Sequence, residues 1–316
     1  MTPDAVSLLG RTYRLDVRAV LPLRSVVGLL TDQGRFMCKR YDAADGLSAD
    51  HLLAIGELKR ELAAQGICPA LRETVDGRLA QPVPGGLVTV EPWQRGRHAD
   101  FRDAGERRAA AQAVARLHKV RVRLPFALRH PPTLMQKLAH RLDEASQAAR
   151  DGGVPGLSRA EWRRWRDAAA HALRELPAEA IGRLTARDRS EGIVCHRDLA
   201  PHNILMDAGA PARLIDFDLA GCDSPLYDLF QLYGHMTYSA PREERAFADM
   251  IDAYVRVADL SDQHIAVLSA LRGYPAQLLR EVGDSSRAVS ARSRTRAATR
   301  VRYAATIEAR RAGARA

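Results

Sequence analysis

Residues 193–206 constrain this chain more than any other segment: they read I-V-C-H-R-D-L-A-P-H-N-I-L-M, and L-I-D-F-D follows at 214–218. Asp198 and Asn203 lie five positions apart in a polar loop, and Asp216 follows thirteen residues after Asn203 at the end of an apolar strand. In this arrangement the Asp198 carboxylate faces an acceptor hydroxyl, while oxygens of Asn203 and Asp216 bind a magnesium ion together with nucleotide phosphates. The spacing therefore predicts phosphoryl transfer, with Asp198 as the catalytic base.

The first ninety or so residues are typical of a small antiparallel sheet with one helix. Alternating or β-branched runs at 25–30 and 35–41 flank the turn Thr31-Asp32-Gln33-Gly34, which predicts a hairpin. A helix is predicted over 48–65, because apolar residues recur there at helical spacing and Gly66 stands where a helix-ending glycine belongs. Two further short strands follow this helix.

The composition changes near Trp93. Beyond Arg95-Gly96-Arg97, arginine- and alanine-rich helical patterns dominate, including 104–119 and 159–176. Short apolar runs around the Asp198 motif interrupt them and predict a hairpin there. We expect an α+β chain in three parts: an N-terminal nucleotide-binding lobe (1–92), a catalytic and substrate lobe (93–286) and a basic helical C-terminal tail (287–316).

The motifs H-R-D-L-x-x-x-N at 196–203 and D-F-x at 216–218 resemble those of the protein-kinase-like superfamily in residue type, order and spacing. No A-P-E motif follows Asp216, and H-R-D-L-A-P-H-N, I-D-F-D and S-P-L-Y-D-L are similar to the aminoglycoside phosphotransferase and choline kinase family. The nearest resemblance is to its spore-coat CotS-type branch. The resemblance implies a bilobal protein-kinase-like fold, with a small antiparallel-sheet N-lobe that carries one main helix and a larger, mainly helical C-lobe.

The resemblance also implies roles for residues of the N-lobe. Lys39, in F-M-C-K-R-Y, takes the place of the lysine that neutralises the α- and β-phosphates of ATP. Its carboxylate partner is expected from the helix, where Glu57 and Glu61 lie one turn apart, and we favour Glu57. The phosphate-covering loop departs from the family because Gly28 is its only glycine, so Ser25 and nearby backbone amides are expected to cover the phosphates.

Further roles concern the joint between the lobes and the catalytic loop. The backbone groups of Glu91 and Trp93 are expected to meet the adenine edge. His196 is expected to orient the catalytic loop, and Asp228 to accept backbone hydrogen bonds from it. The implied cofactors are ATP and Mg²⁺, with Asp216 contributing to both sites.

The function implied by the resemblance is transfer of the γ-phosphate of Mg-ATP to a hydroxyl of a small molecule. The glycine-poor phosphate loop motivates an alternative, a kinase-fold spore-coat or scaffold protein with weak or no catalytic activity. The basic region beyond 226 favours an anionic or neutral acceptor, although Glu243, Glu244, Asp249 and Asp252 leave a cationic one open.

Composition limits the partners and the location. The four cysteines form no C-x-x-C pair, which is typical of reduced thiols, and neither a signal peptide nor a membrane span is evident, so we expect a cytoplasmic protein or a spore-coat component. The net charge of +10 favours anionic partners. Nucleic acid is not expected, because Tyr303 is the only aromatic residue among the arginines of the tail and base stacking has little support.

Overall fold

The computed structural model describes residues 3–23, 26–42, 48–122, 128, 131–241, 245–288 and 290–313. Its helices are α1 (Pro3–Tyr13), α2 (Ala49–Ala64), α3 (Ala104–Lys119), α4 (Leu134–Gly152), α5 (Arg159–Glu175), α6 (Ala178–Ser190), α7 (Pro225–Ser239), α8 (Ala246–Val255), α9 (Asp262–Leu271), α10 (Ala276–Ser285) and α11 (Ala291–Gly313). Its strands are β1 (Val17–Pro22), β2 (Val27–Thr31), β3 (Gly34–Asp42), β4 (Gln81–Val83), β5 (Gly86–Pro92), β6 (Arg97–His98), β7 (Val194–Cys195), β8 (Ile204–Met206), β9 (Arg213–Leu214) and β10 (Gly221–Cys222). None of these helices combines the length and the apolar character needed to cross a bilayer.

The first five strands form one antiparallel sheet in the order β1-β2-β3-β5-β4. β2 and β3 form the predicted hairpin, in which Thr31 is paired with Gly34 across the turn. β3 also pairs with β5, and this register places Lys39 opposite Thr89. The sheet, one main helix packed near it and a larger helical part confirm the predicted bilobal α+β fold.

Helix α2 begins and ends where the sequence signals it. The Ser48 hydroxyl accepts a hydrogen bond from the backbone N–H of His51 at 3.1 Å and caps the first turn. Gly66, just beyond the last turn, has φ of +69°, a left-handed conformation that glycine adopts without a steric penalty.

The interpretation of the N-terminal part as strands with a single helix omits α1. Leu9 and Tyr13 of this helix are buried with the apolar residues of the sheet, and the Tyr13 hydroxyl donates to the Val88 carbonyl at 3.2 Å. A helix of 11 residues offers few repeats of the apolar pattern, so the sequence signal is weak.

Two small sheets hold the predicted catalytic hairpin. β7 pairs with β10, and β8 lies between β6 and β9. Ile204, directly after the Asp198 loop, is paired with Leu214, directly before the aspartate motif. The pairing therefore brings the two motifs side by side.

The apolar core does not divide at residue 92. One buried cluster joins α1 to the sheet, whereas Ile55, Leu58 and Leu62 of α2 belong to a larger cluster with the C-terminal helices. The division at these boundaries, 1–92, 93–286 and 287–316, stays a prediction. Helix α2 belongs to the first of these parts by sequence but shares its core with the second.

The basic C-terminal segment is a helix with one apolar face. Val301, Ala304 and Ile307 of α11 are buried, so this face packs into the protein. Arg300 pairs with Glu281 of α10 at 2.9 Å, and Arg302 donates to the Gly156 carbonyl at 3.0 Å. These arginines therefore serve intramolecular contacts and do not form a projecting tail.

We predict that Gly86→Ala destabilises the protein, because a Cβ at this position would clash with the backbone carbonyl oxygen of Tyr41 on β3. The expected loss is about 1–3 kcal/mol in the free energy of unfolding, measured by urea denaturation. Gly182→Ala in α6 is the control: a methyl group there would meet no neighbouring atom of the described residues within 4 Å, and a gain of about 0.5–1 kcal/mol is expected. Equal effects of the two substitutions would contradict the close approach of β3 and β5.

Candidate active site

The loop between β7 and β8 carries Asp198 and Asn203. Asn203 lies in the 3-10 turn Pro201–Asn203, and its side-chain nitrogen donates to the Asp198 carbonyl at 2.8 Å and to Asp198 Oδ2 at 3.1 Å. These bonds use the amide nitrogen within the loop. The amide oxygen is the atom left for a metal ion, and Asp198 Oδ1 is the carboxylate oxygen left for an acceptor.

Asp216 lies beside Asn203, because the Ile215 N–H donates to the Asn203 carbonyl at 3.0 Å. Asp216 has φ of +64°, a left-handed conformation that is uncommon for any residue other than glycine. A residue in such a conformation costs about 1–3 kcal/mol and is kept only where the surroundings enforce it. The structure thus brings the two predicted metal ligands together at a strained position.

His196 is buried and is bonded through both ring nitrogens. Its Nδ1 accepts the Asp198 N–H at 3.3 Å, so Nε2 carries the proton and faces the Ile215 carbonyl at 2.8 Å. The ring therefore connects the backbone beside Asp198 to the backbone beside Asp216. Since neither nitrogen remains for proton transfer, these contacts suit the predicted orienting role.

Asp228, in the first turn of α7, accepts hydrogen bonds from the backbone of the catalytic loop. Its carboxylate accepts the backbone N–H of His196 at 2.7 Å and of Arg197 at 2.8 Å, and it lies 3.0 Å from His118 Nε2. Burial raises the pKa of Asp228, but the hydrogen bond from His118 and the charges around it outweigh burial and leave the pKa below its ordinary value. The predicted bracing role of Asp228 is confirmed.

Lys39 reaches from the sheet to the aspartate motif. Its Nζ lies 2.7 Å from Asp216 Oδ1 and 2.7 Å from Asp218 Oδ2. Asp218 is itself fixed by the Tyr41 hydroxyl, which donates to its Oδ1 at 3.0 Å. Burial lowers the pKa of Lys39, but Asp218 and Asp216 outweigh burial and raise the pKa above its ordinary value, so the ammonium stays charged.

The predicted pairing of Lys39 with Glu57 is corrected by the structure. Glu57 and Glu61 both lie on the exposed side of α2. The side of α2 that faces the cleft carries Leu52, Ile55 and the buried Lys59, and Lys59 forms an ion pair with Glu91 of β5. The helix therefore contributes a cation to the cleft where the prediction placed a carboxylate.

The register of β5 also corrects the prediction for the joint between the lobes. The Trp93 N–H donates to the Arg35 carbonyl at 2.9 Å. Because bonded pairs alternate along an antiparallel ladder, Glu91, opposite Met37, also directs its backbone groups toward β3. These groups are used by the sheet, and the Pro92 carbonyl points away from β3 instead.

Ser25, predicted to cover the phosphates, lies outside the described residues. Gly28 of β2 has a packing role: a Cβ there would lie 2.7 Å from Cζ3 of the Trp93 indole. The glycine in this strand therefore admits the Trp93 ring beneath the sheet.

A cleft of about 660 Å³ lies between the sheet and the catalytic loop. Lys39, Lys59 and Glu91 line its upper wall, and Asn203 and Asp216 line its floor. Apolar side chains complete it: Leu23, Val26, Met37, Leu52, Ile55, Leu71, Trp93, Leu205 and Ile215. A cleft of this size and lining is typical of small-molecule and cofactor sites.

Sequence reasoning missed Asp218 and Lys59. Asp218 stands in the quoted I-D-F-D motif, so a second acid at a spacing of two was a visible signal. Lys59 had no such signal, since only the rotation of α2 about its axis distinguishes it from the exposed charges beside it.

The family follows from a comparison of the whole chain with protein-family models, in which the model of the phosphotransferase enzyme family matches residues 23–306. The chain belongs to this family. The match includes β2 to β5 of the sheet, the cleft and the catalytic loop, and it confirms the resemblance to aminoglycoside phosphotransferases and choline kinases. The spore-coat branch, and with it spore-coat partners, stays a prediction.

Solved structures of phosphotransferases share the fold of this family member. An aminoglycoside phosphotransferase from Alicyclobacillus acidocaldarius is similar at a TM-score of 0.76 and 18% identity, over 100% of this chain and 96% of that chain. An amicoumacin kinase in complex with AMP-PNP and Ca²⁺ has a TM-score of 0.65 and 15% identity, over 97% and 92%. The choline kinase LicA from Streptococcus pneumoniae has a TM-score of 0.58 and 13% identity, over 97% and 98%. A search of curated proteins finds no significant match.

We predict that Asp228→Asn lowers the free energy of unfolding by about 3 kcal/mol. The reason is that the asparagine side chain directs its N–H₂ group at a buried backbone N–H group, whose hydrogen bond the carboxylate of the wild type accepts. Urea denaturation measures this loss. Asp167→Asn, an exposed carboxylate of α5, is the matched control and should change stability by no more than about 0.5 kcal/mol. An effect of Asp228→Asn as small as that of the control would contradict the bracing role.

Proposed function

We propose that this chain transfers the γ-phosphate of Mg-ATP to a hydroxyl group of a small molecule. The observation that carries the proposal is that Lys39, Asn203 and Asp216, from three separate segments of the chain, line one cleft, and that the Asn203 side chain is bonded to Asp198. Phosphoryl transfer needs this combination: a base for the acceptor, oxygen ligands for a metal and a cation for the phosphates.

Asp198 is the proposed catalytic base. Its Oδ2 is held by Asn203, which fixes the direction of the carboxylate and leaves Oδ1 to accept the proton of the attacking hydroxyl. Lys39, kept charged by Asp216 and Asp218, is the proposed partner of the phosphate oxygens. Catalysis then rests on position and charge, which is typical of this reaction.

The donor set near the loop fits magnesium. The amide oxygen of Asn203 and the carboxylate of Asp216 are hard oxygen ligands, and Mg²⁺ is usually held by one or two such groups together with phosphates and water. When bound, the ion neutralises negative charge on the phosphate oxygens. The complex of a similarly folded kinase with AMP-PNP and Ca²⁺ supports a nucleotide and a divalent cation as ligands of this chain.

The adenine edge is proposed to lie against Pro92 and Gln94. The Pro92 carbonyl points away from β3, and among the described residues it accepts a hydrogen bond only from the Gln94 side chain, at 3.2 Å. The apolar residues of the cleft provide surfaces for the base. A kinase-fold spore-coat or scaffold protein with weak or no catalytic activity remains the alternative, and failure to bind Mg-ATP would favour it.

We predict that Asp198→Asn and Asp216→Ala separate catalysis from nucleotide binding. Asp198→Asn should lower turnover about 10²- to 10⁴-fold, because it removes the proton acceptor, and should leave Mg-ATP binding unchanged. Asp216→Ala should lose the Mg²⁺-dependent part of thermal stabilisation by ATP, which for the wild type is about 2.7 kcal/mol at a hundred times Kd. Thermal-shift titration with and without Mg²⁺ measures binding, and ADP release with a panel of hydroxyl compounds measures turnover. A wild-type protein that Mg-ATP does not stabilise would favour the scaffold alternative.

We predict that Asp218, and not Glu57, positions Lys39. Asp218→Asn should weaken Mg-ATP binding about tenfold, because Lys39 then pairs with Asp216 alone and competes with the metal for that carboxylate. Glu57→Gln is the matched control and should leave the affinity unchanged, since its side chain is exposed. Calorimetric titration with Mg-ATP compares the two variants. If Glu57→Gln weakened the binding of Mg-ATP and Asp218→Asn did not, the pairing of Lys39 with Glu57 expected from the sequence would be supported.

A further inference from the structure

A second cavity of about 430 Å³ lies among helices α4, α7 and α10, and we call it the α4–α7–α10 pocket. Its charged and ionisable lining consists mainly of bases: Lys137, His140, Arg141, His235 and Arg280, with Glu144 as the one carboxylate in the described lining. Tyr227, Phe230 and Tyr274 provide apolar walls. The cavity is large enough for a small metabolite.

The pocket adjoins the catalytic loop on both sides of Asp198. Gln231, which lines the pocket, accepts the Leu199 N–H through its Oε1 at 3.2 Å. Pro132, on the opposite wall, accepts the Arg197 guanidinium through its carbonyl at 2.7 Å. Because Arg197 and Leu199 are the chain neighbours of Asp198, a compound in this pocket lies next to the proposed base.

The pocket also borders the nucleotide cleft. His202 lines the cleft, whereas His235 lines the pocket. Burial, followed by the charges of Arg280 and His202, lowers the pKa of His235 to about 3. His202 lies in the catalytic loop, to which Gln231 of the pocket is bonded, so the phosphate donor and a compound in the pocket would meet near this loop.

Lys137 gives the pocket a positive charge. No carboxylate of the described residues forms an ion pair with it, and its ammonium lies 4.6 Å from the centre of the Tyr227 ring. Burial, followed by the nearby Arg197 guanidinium, lowers the pKa of Lys137 to about 8. A half-buried ammonium of this kind gains more from an anionic ligand than a solvated lysine does.

The other charges of the lining do not offset Lys137. Glu144 is shared between His140, at 3.3 Å, and Arg141, at 4.0 Å. Arg280 pairs at 3.1 Å with Glu281, which also pairs with Arg300 at 2.9 Å. Each of these carboxylates contacts two bases, so the charged side chains that line the pocket keep a net positive charge.

Building on the proposed function, we propose that the α4–α7–α10 pocket binds the phosphate acceptor, and that Lys137 and Arg280 select an acceptor whose hydroxyl belongs to an anionic compound, a carboxylate or a phosphate ester. The anionic group contacts Lys137 at the far wall, and the hydroxyl points to Asp198. A cationic acceptor would have to displace or neutralise these bases, which disfavours it electrostatically.

The test is calorimetric titration of the full chain without nucleotide, using four probes of similar size. Glycerate and glycerol 3-phosphate are the anionic probes with hydroxyls, glycerol is the neutral probe and choline is the cationic one. We expect the anions to bind and glycerol and choline to bind at least about tenfold more weakly. The anion that binds with the higher affinity shows whether the site prefers a carboxylate or a phosphate.

Substitutions locate the binding. Lys137→Met keeps the length of the side chain and should weaken anion binding about tenfold, whereas Lys137→Arg should retain it. Arg163→Met, an exposed arginine of α5, is the control for general charge effects and should leave binding unchanged. Circular dichroism confirms that each variant is folded.

The outcomes separate this inference from the proposed function. Anion binding that depends on Lys137 in a protein that does not bind Mg-ATP would uphold the pocket and reject the kinase. Tighter binding of choline than of either anion, or anion binding that survives Lys137→Met, would overturn the inference and leave the kinase intact. Failure of both anions to bind at about 10 mM would also overturn it, since such affinity is negligible for a substrate site.

Discussion

The catalytic loop depends on one buried carboxylate. Asp228 accepts two consecutive backbone N–H groups, from His196 and Arg197, and so fixes the segment that turns just before Asp198. Arg197 has φ of +67°, and a residue that is not glycine keeps this left-handed conformation only where other contacts enforce it. His118 of α3 completes the arrangement, and the catalytic loop is thereby attached to two helices packed deeply in the C-terminal core.

The charges around the cleft differ from the expected arrangement, in which α2 provides a carboxylate that pairs with Lys39. α2 contributes Lys59 to the cleft, where it neutralises Glu91, and the lysine of β3 takes both of its partners from the aspartate motif. Each cation of the upper wall is thus balanced within the cleft. The position of Lys39 consequently depends on the loop around Asp216 and not on the rotation of α2, which is free to present its glutamates to solvent.

Local patterns in the sequence predicted the parts of this protein that local physics determines. The β2–β3 hairpin, the capped helix α2 and the association of Asp198, Asn203 and Asp216 follow from turn residues, caps and motif spacing. The partner of Lys39 and the direction of the Pro92 carbonyl could not be predicted in this way. The first depends on how the chain brings Asp216 and Asp218 from a distant segment to β3. The second depends on which residues of β5 form bonded pairs with β3, where a shift of one residue reverses the result.

The ion pair between Lys39 and Asp216 also affects how a metal ion could enter the cleft. The carboxylate proposed to bind the metal is neutralised by an ammonium at 2.7 Å. A free divalent cation must displace that ammonium and leave it with a weaker counter-charge, whereas a cation that arrives with a polyphosphate brings anionic oxygens to which the lysine can transfer. For the proposed site, this charge balance favours entry of metal and nucleotide as one complex and disfavours entry of the metal alone.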